Sequence, residues 1–197
     1  MPLKIIAGLL GLLMLSGCFP TIESPPVRSD DMAIPAGLCG SFDFVDEDEP
    51  DQKVILIVAP KEGACTSITA TMTTSGPEDH NQVDVYAGEP VIIGDALFLS
   101  LRLTSVAESS PWFIVRAYVS DAALTLSFMH DERTLDAVRS GAVAGTITGP
   151  SDDPSVHITA SADALAAFLA TDAGRSLFVE PGPGKTEGIV SFRRAAP

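Results

Sequence analysis

The sequence predicts a mainly β fold, an antiparallel meander that forms a curved sheet or a partial barrel. Three observations carry this prediction. Apolar and polar residues alternate along most of the chain, turn-forming stretches recur about every 8–10 residues, and β-branched and aromatic residues fill the segments between the turns. Two helical stretches are expected as well, one C-terminal-half α-helix at about 161–172 and a short helical turn at about 134–140.

The predicted strands begin at Leu38 with LCGSFDFV. KVILIVAP follows, and its continuous apolar character is typical of a central strand buried on both sides. CTSITATMTT alternates next, and QVDVYAG alternates Val83 and Val85 with polar residues. ALFLSLRLT gives the clearest pattern because its leucines all share one face. WFIVRAYVS, ALTLSFMH and the closing strand GIVSFRR complete the meander.

Two later stretches change to helical spacing. In SADALAAFLATDAG, Ser161 is the expected N-cap, an apolar stripe repeats every three to four residues, and Gly174 is expected to end the helix. In TLDAVRSG, Thr134 is the expected N-cap and Gly141 follows the last turn. The apolar stripe of the helix at about 161–172 is expected to pack on the sheet.

The first residues have the three parts of an export signal. Lys4 provides the positive charge, Ile5–Leu15 is the apolar region, and Ser16 and Gly17 are the small residues before a cleavage site. The apolar run is shorter than the ~20 residues that a membrane helix needs, so the segment is interpreted as a removed signal peptide, residues 1–17.

The end of this signal, LSGC, resembles the lipobox of bacterial lipoproteins. The resemblance implies that Cys18 is acylated, with palmitate or a similar fatty acid, and becomes the new N-terminus and membrane anchor. Phe19 follows in place of Asp, which implies an outer-membrane location facing the periplasm. An ordinary secreted chain with an incidental cysteine is the alternative. Residues 18–37 are predicted to be a Pro-rich tether, and 38–194 a single β-rich domain.

The charge and the cysteines of the chain carry two further inferences, one about nucleic-acid binding and one about a disulfide. The chain has 26 acidic and 12 basic residues, a net charge of −14, which opposes binding to nucleic acid. Besides Cys18 it has Cys39 and Cys65, and such a pair in an oxidising compartment predicts a disulfide. In a plain meander, however, one strand separates them by ~9–10 Å, whereas a disulfide needs less than ~7 Å. Either the loop at Cys65 folds back, or the strand order is not sequential.

No motif in the sequence predicts a catalytic residue, a metal site or a cofactor. PGPGKT lacks the first glycine of a phosphate-binding loop, and VDEDEPD lacks the spacing of a calcium loop, so a solvated turn is the simpler interpretation. His80, His130 and His157 have no zinc-type spacing. Asp131 lies beside His130, but no serine stands in the G-x-S-x-G motif of a nucleophile elbow, so this pair does not predict a catalytic site.

One face of the sheet is a candidate contact surface. If the leucines of ALFLSLRLT face the core, large amphipathic side chains of this strand and the next lie together on the opposite face: Arg102, Trp112, Ile114, Arg116 and Tyr118. Trp, Tyr and Arg dominate the binding energy of interfaces. The alternative is that the helices pack over this face.

The order of a lipidated N-terminus, a Pro-rich tether, about eight strands and a late helix resembles the small lipocalin-like lipoproteins of bacterial envelopes. The lipocalin G-x-W is absent and CGSFDF stands in its place, so a closed barrel and an open curved sheet remain alternatives. The resemblance implies a non-enzymatic envelope lipoprotein that binds a protein or a small ligand. A lipid-anchored hydrolase with a site built from distant residues is the second hypothesis.

Overall fold

The computed structural model describes residues 19–26, 33–45, 53–61, 65–75, 82–104, 110–182 and 187–195. These residues form a closed antiparallel barrel of eight strands with short helices against its outer side. Strand β1 (Thr21–Ile22) precedes the barrel. The barrel strands are β2 (Gly40–Val45), β3 (Lys53–Pro60), β4 (Ile68–Ser75), β5 (Gln82–Ile93), β6 (Ala96–Leu103), β7 (Trp112–Val119), β8 (Ala123–Phe128) and β11 (Ile189–Arg194).

The remaining elements lie outside the barrel. They are the hairpin β9 (Gly145–Thr148) and β10 (Ser155–Ile158), and the helices α1 (Asp131–Arg139), α2 (Ala162–Leu169) and α3 (Asp172–Arg175).

The barrel closes because the last strand joins the first. Strands β2 to β8 pair in chain order, and β11 lies between β8 and β2, with Arg193 opposite Asp43. All eight neighbouring pairs of the ring are antiparallel. The predicted antiparallel meander is therefore confirmed, and of its two forms the closed barrel is the one observed. It is consistent with the lipocalin-like fold that the resemblance implied.

Alternation along the strands fills the barrel with apolar side chains. The four leucines of β6 share the inward face, as predicted, and Phe113, Val115 and Ala117 of β7 face the same core. Strand β5 differs from its prediction: Val83 is 50% exposed, while Asp84 and Tyr86 point inward and are buried.

A second apolar cluster lies on the outer side of β5 to β8. Helix α2, strand β10 and the segment after α3 cover these strands, with Phe98 and Ile114 at the centre of the contact, and α1 packs against the same cluster. Phe98 is fully buried, and its ring meets that of Phe178 at a centroid distance of 5.4 Å. The helices therefore pack on one side of the barrel and leave the outer face of β3 uncovered. Ile57 is 47% exposed there, so the prediction that KVILIVAP is buried on both sides was wrong.

The helices lie close to their predicted positions. The Ser161 side chain accepts a hydrogen bond from the amide of Ala164, at 3.3 Å, as expected of the N-cap. The first helix starts earlier than predicted, at Asp131, so Thr134 is a buried helical residue and not the N-cap. Its hydroxyl donates to the His130 carbonyl at 2.9 Å, which accounts for the threonine's place inside the helix.

Gly174 lies inside α3, beyond the end of α2. A Cβ there would fall against the Phe168 carbonyl and 2.7 Å from the Leu169 Cα, so only glycine lets the two helices approach this closely.

Part of the range predicted as a tether packs on the domain. Ile22 pairs with Trp112 of β7 and, in parallel, with Ile158 of β10, and it is 1% exposed. The Phe19 ring lies 5.2 Å from that of Phe128. The β9–β10 hairpin, which the sequence pattern did not predict, provides the partner for β1.

One end of the barrel, called here the Cys39 end, is closed by the chain itself. Cys39 and Cys65 form the predicted disulfide, with a Cα–Cα distance of 6.2 Å. Because β2, β3 and β4 are sequential neighbours, the loop at Cys65 must fold back across the end of β3. Leu38 is fully buried beside the bridge, and the Arg194 guanidinium lies 4.7 Å from the Phe42 ring centre and donates to the Gly37 carbonyl.

Candidate functional site

The described residues of the barrel enclose a cavity on its axis. Its volume, about 40 Å³, is roughly that of three water-sized spheres. The surface that faces the cavity is entirely apolar. The lining side chains come from β3 to β8 and β11: Leu56, Val58, Ile68, Ala70, Met72, Tyr86, Leu99, Leu101, Phe113, Leu124, Leu126, Phe128, Val190 and Phe192.

Close approach of the backbone sets the width of this cavity on one side. Gly88 of β5 faces inward, where a Cβ would fall against the Ile68 side chain and 3.0 Å from Leu101 Cδ2. The side chains of β4 and β6 therefore meet across a position where β5 contributes none. The edge-to-face contact of Tyr86 and Phe113, at 6.0 Å between ring centres, limits the cavity at the next level.

Two buried polar side chains lie on the inner face of β5 at the end of the barrel opposite Cys39, called here the Asp84 end. Asp84 is 6% exposed, and one of its carboxylate oxygens accepts a hydrogen bond from Gln82 Nε2 at 3.0 Å. Tyr86 is 4% exposed, and its hydroxyl has no hydrogen-bond partner among the described residues. Burial, and after it the negative charge of Asp84, raise the pKa of Tyr86, so this hydroxyl keeps its proton.

Neither Asp84 nor Tyr86 was predicted from the sequence as a site residue. The alternation of Val83 and Val85 is the more obvious apolar row of QVDVYAG, yet those valines face outward. The row that faces inward, Asp84, Tyr86, Gly88, Pro90 and Ile92 at spacings of two, contains a charged residue, a glycine and a proline, so the pattern of the strand alone does not favour it for the core.

The predicted contact face is where alternation placed it, on the outer side of β6 and β7. Arg102 lies opposite Trp112 in the register, and its guanidinium is 4.9 Å from the indole ring centre. Ile114, between the pairs, is 1% exposed because it packs in the second apolar cluster. These three residues therefore combine a surface pair with a core residue.

Arg116 and Tyr118, the other two members, are held by a residue of the same chain. Glu180 accepts hydrogen bonds from Arg116 Nη1 and, at 3.2 Å, from the Tyr118 hydroxyl. Burial first, and also the Glu180 charge, raise the pKa of Tyr118 to about 12, although Arg116 opposes the shift. Ser127 donates to the Val179 carbonyl beside them, at 2.9 Å, so the segment after α3 is fastened over this part of the face. A contact role for the five residues stays a prediction.

The histidines, the acidic turn and Cys18, which the sequence singled out, do not form a site within the described residues. Cys18, His80 and the acidic turn 46–52 lie outside the described residues. His130 is the N-cap of α1, and His157 Nδ1 shares a 2.9 Å hydrogen bond with the Thr21 hydroxyl. Within the described ranges, no three His, Cys, Asp or Glu side chains come together in a way that could hold a metal ion.

No family model, curated protein or solved structure matches this chain. In the part of the chain that the structure describes, no helix has the length and apolar character needed to cross a membrane. The disulfide indicates an oxidising compartment outside the cytoplasm.

Proposed function

We propose that this protein is a lipid-anchored lipoprotein of the bacterial cell envelope whose barrel binds a small apolar ligand without catalysing a reaction. The observation that carries the proposal is the cavity on the barrel axis, which is lined by apolar side chains of seven strands. Interior space with such a lining takes apolar guests, because they gain burial and displace no well-bound water.

The anchor in this proposal is a lipid on Cys18 in the outer membrane, facing the periplasm. Its support is the LSGC motif at the end of a complete export signal, together with the oxidising compartment that the disulfide indicates. Phe19, the residue next to Cys18, packs on Phe128, and Phe128 lines the cavity. The anchored end of the chain therefore starts beside the barrel, at the end where β8 finishes.

The size of the cavity limits the ligand to a slender chain. The cavity holds about three carbon-sized groups, whose burial contributes about 2–2.5 kcal/mol, which corresponds to a Kd on the order of 20 mM for the part of an alkyl probe inside it. A longer ligand would gain further binding free energy if its additional carbons extended beyond the cavity along the barrel axis. Methyl butyl ketone is a suitable probe because it is slender, uncharged and soluble.

The test is an NMR titration of the protein with methyl butyl ketone, comparing two matched variants of β4. Ala70 lines the cavity, whereas the next residue, Thr71, faces outward. Ala70→Leu fills the cavity and should weaken binding at least tenfold, while Thr71→Leu should leave the Kd within twofold of the parent. Equal binding by Ala70→Leu and the parent, with both spectra dispersed and folded, would contradict the proposal.

A further inference from the structure

Among the described residues, Asp84 is the acidic residue whose side chain points into the barrel. Strand β5 alternates strictly at this point, so Asp84 shares the inner face with Tyr86, two residues further along, whose ring lines the cavity. Gln82 supplies one hydrogen bond to the carboxylate, and this pair does not reach the Tyr86 hydroxyl, which has no partner within the described residues. Neither the carboxylate nor the hydroxyl contributes surface to the apolar cavity wall, so both lie just beyond it, and Asp84 is paired in the register with Met72, which lines the cavity.

At the other end of the barrel, the described residues offer no comparable group to a ligand. The inward-facing cation there, Arg194, is used by the chain itself: its Nε donates to the Asp121 carbonyl at 3.1 Å, and its Nη2 donates to Gly37. Leu38 and the disulfide close that end over the Phe42 ring. A ligand with one polar end would therefore orient that end toward Asp84.

We propose that the cavity accepts a short amphiphile with a hydrogen-bond-donating head, an alkyl alcohol or an alkyl amine, whose head lies beside Asp84 and Tyr86. This rests on the ligand-binding function proposed above. A hydroxyl or ammonium head donates to the Asp84 carboxylate and supplies the missing partner of the Tyr86 hydroxyl. A carboxylate head would bring a second negative charge beside a buried one, in a chain whose net charge is already −14, and is excluded on that ground.

The experiment compares four probes of about six to eight non-hydrogen atoms by NMR titration of the parent protein: hexanol, hexylamine, hexanoate and chloropentane, which has no hydrogen-bonding head. Hexanol and hexylamine should bind at least tenfold more tightly than hexanoate, and more tightly than chloropentane. Equal affinity for hexanoate and hexanol would overturn the assignment of the head group. If none of the four probes binds, the ligand-binding function itself fails, so the two failures are distinguishable.

Asp84→Asn and Glu89→Gln form a matched pair of variants. Each removes one negative charge from β5, but Glu89 is exposed on the outer face. Asp84→Asn should lower the preference of hexylamine over hexanoate at least fivefold, whereas Glu89→Gln should change it by less than twofold. An unchanged preference in folded Asp84→Asn, or equal shifts in both variants, would overturn the role of Asp84. If Asp84→Asn does not fold, the probe ranking of the parent protein still decides the proposal.

Discussion

Removal of the Cys39–Cys65 bridge should lower the stability of the barrel by an amount that the chain topology determines. The two cysteines are 26 residues apart, and closing a loop of that size removes conformational entropy from the unfolded chain worth about 3.5 kcal/mol. For a domain of this size, such a loss corresponds to a drop in Tm of roughly 7–14 °C. The bridge also holds Cys65 at the end of the barrel that Leu38 closes. We therefore expect the measured loss in the free energy of unfolding to reach the full value for loop closure.

The assay is urea unfolding followed by far-UV circular dichroism, in a Cys18→Ser background that leaves no third thiol. Cys39→Ala, Cys65→Ala and the double variant should all lose about the same free energy of unfolding, because either change alone already breaks the bridge. Reduced parent protein should match them. Losses below about 1 kcal/mol, or losses that add in the double variant, would refute the loop-entropy reasoning.

Three further predictions concern packing, titration and anchoring. Gly88→Ala should destabilise the barrel by about 1–3 kcal/mol in urea unfolding, because the added methyl meets Ile68 inside a packed core; an unchanged midpoint would mean that the side chains there can move apart. The free energy of unfolding should fall as pH rises from 10 to about 12, since the unfolded chain ionises Tyr118 at its ordinary pKa of 10.0 while the folded protein holds its proton up to about 12. Tyr118→Phe should reduce this fall, and Glu180→Gln should lower the tyrosine's pKa in a spectrophotometric titration; a pKa that stays at about 12 in that variant would contradict the contact. Cys18→Ser should release the protein from membranes in cell fractionation, and a variant that still sediments with salt-washed membranes would contradict the lipid anchor.

Much of the barrel could be predicted from the sequence because adjacent strands repeat one pattern. Leu99 and Leu101 of β6 and Phe113 of β7 are inward because the alternative would bury Arg102 and Arg116 in the core. Closure could not be predicted in the same way. It depends on the pairing of β11 with β2, which are the last and first strands, and no local pattern encodes a pairing between the two ends of a domain.

The residues of the candidate site were harder to predict for a related reason. Asp84 is polar and Val83 is apolar, so a single-strand pattern favours the valine for the core. The register decides otherwise: Tyr86 pairs with Leu103 and Gly88 with Leu101, and these inward leucines set the face of the whole strand. A strand that reads ambiguously by itself is determined by its neighbours.

The most direct test of the central proposal, that the barrel interior is a ligand site, is the measurement of intermolecular nuclear Overhauser effects between methyl butyl ketone and the methyl groups of the folded protein. We expect contacts from the probe to Leu99, Leu101 and Ala70, which line the cavity, and their loss in Ala70→Leu. Contacts confined to outward-facing residues such as Ile57 and Val83, with none to the interior leucines, would show that apolar molecules adhere to the outside of the barrel, and would contradict the proposal.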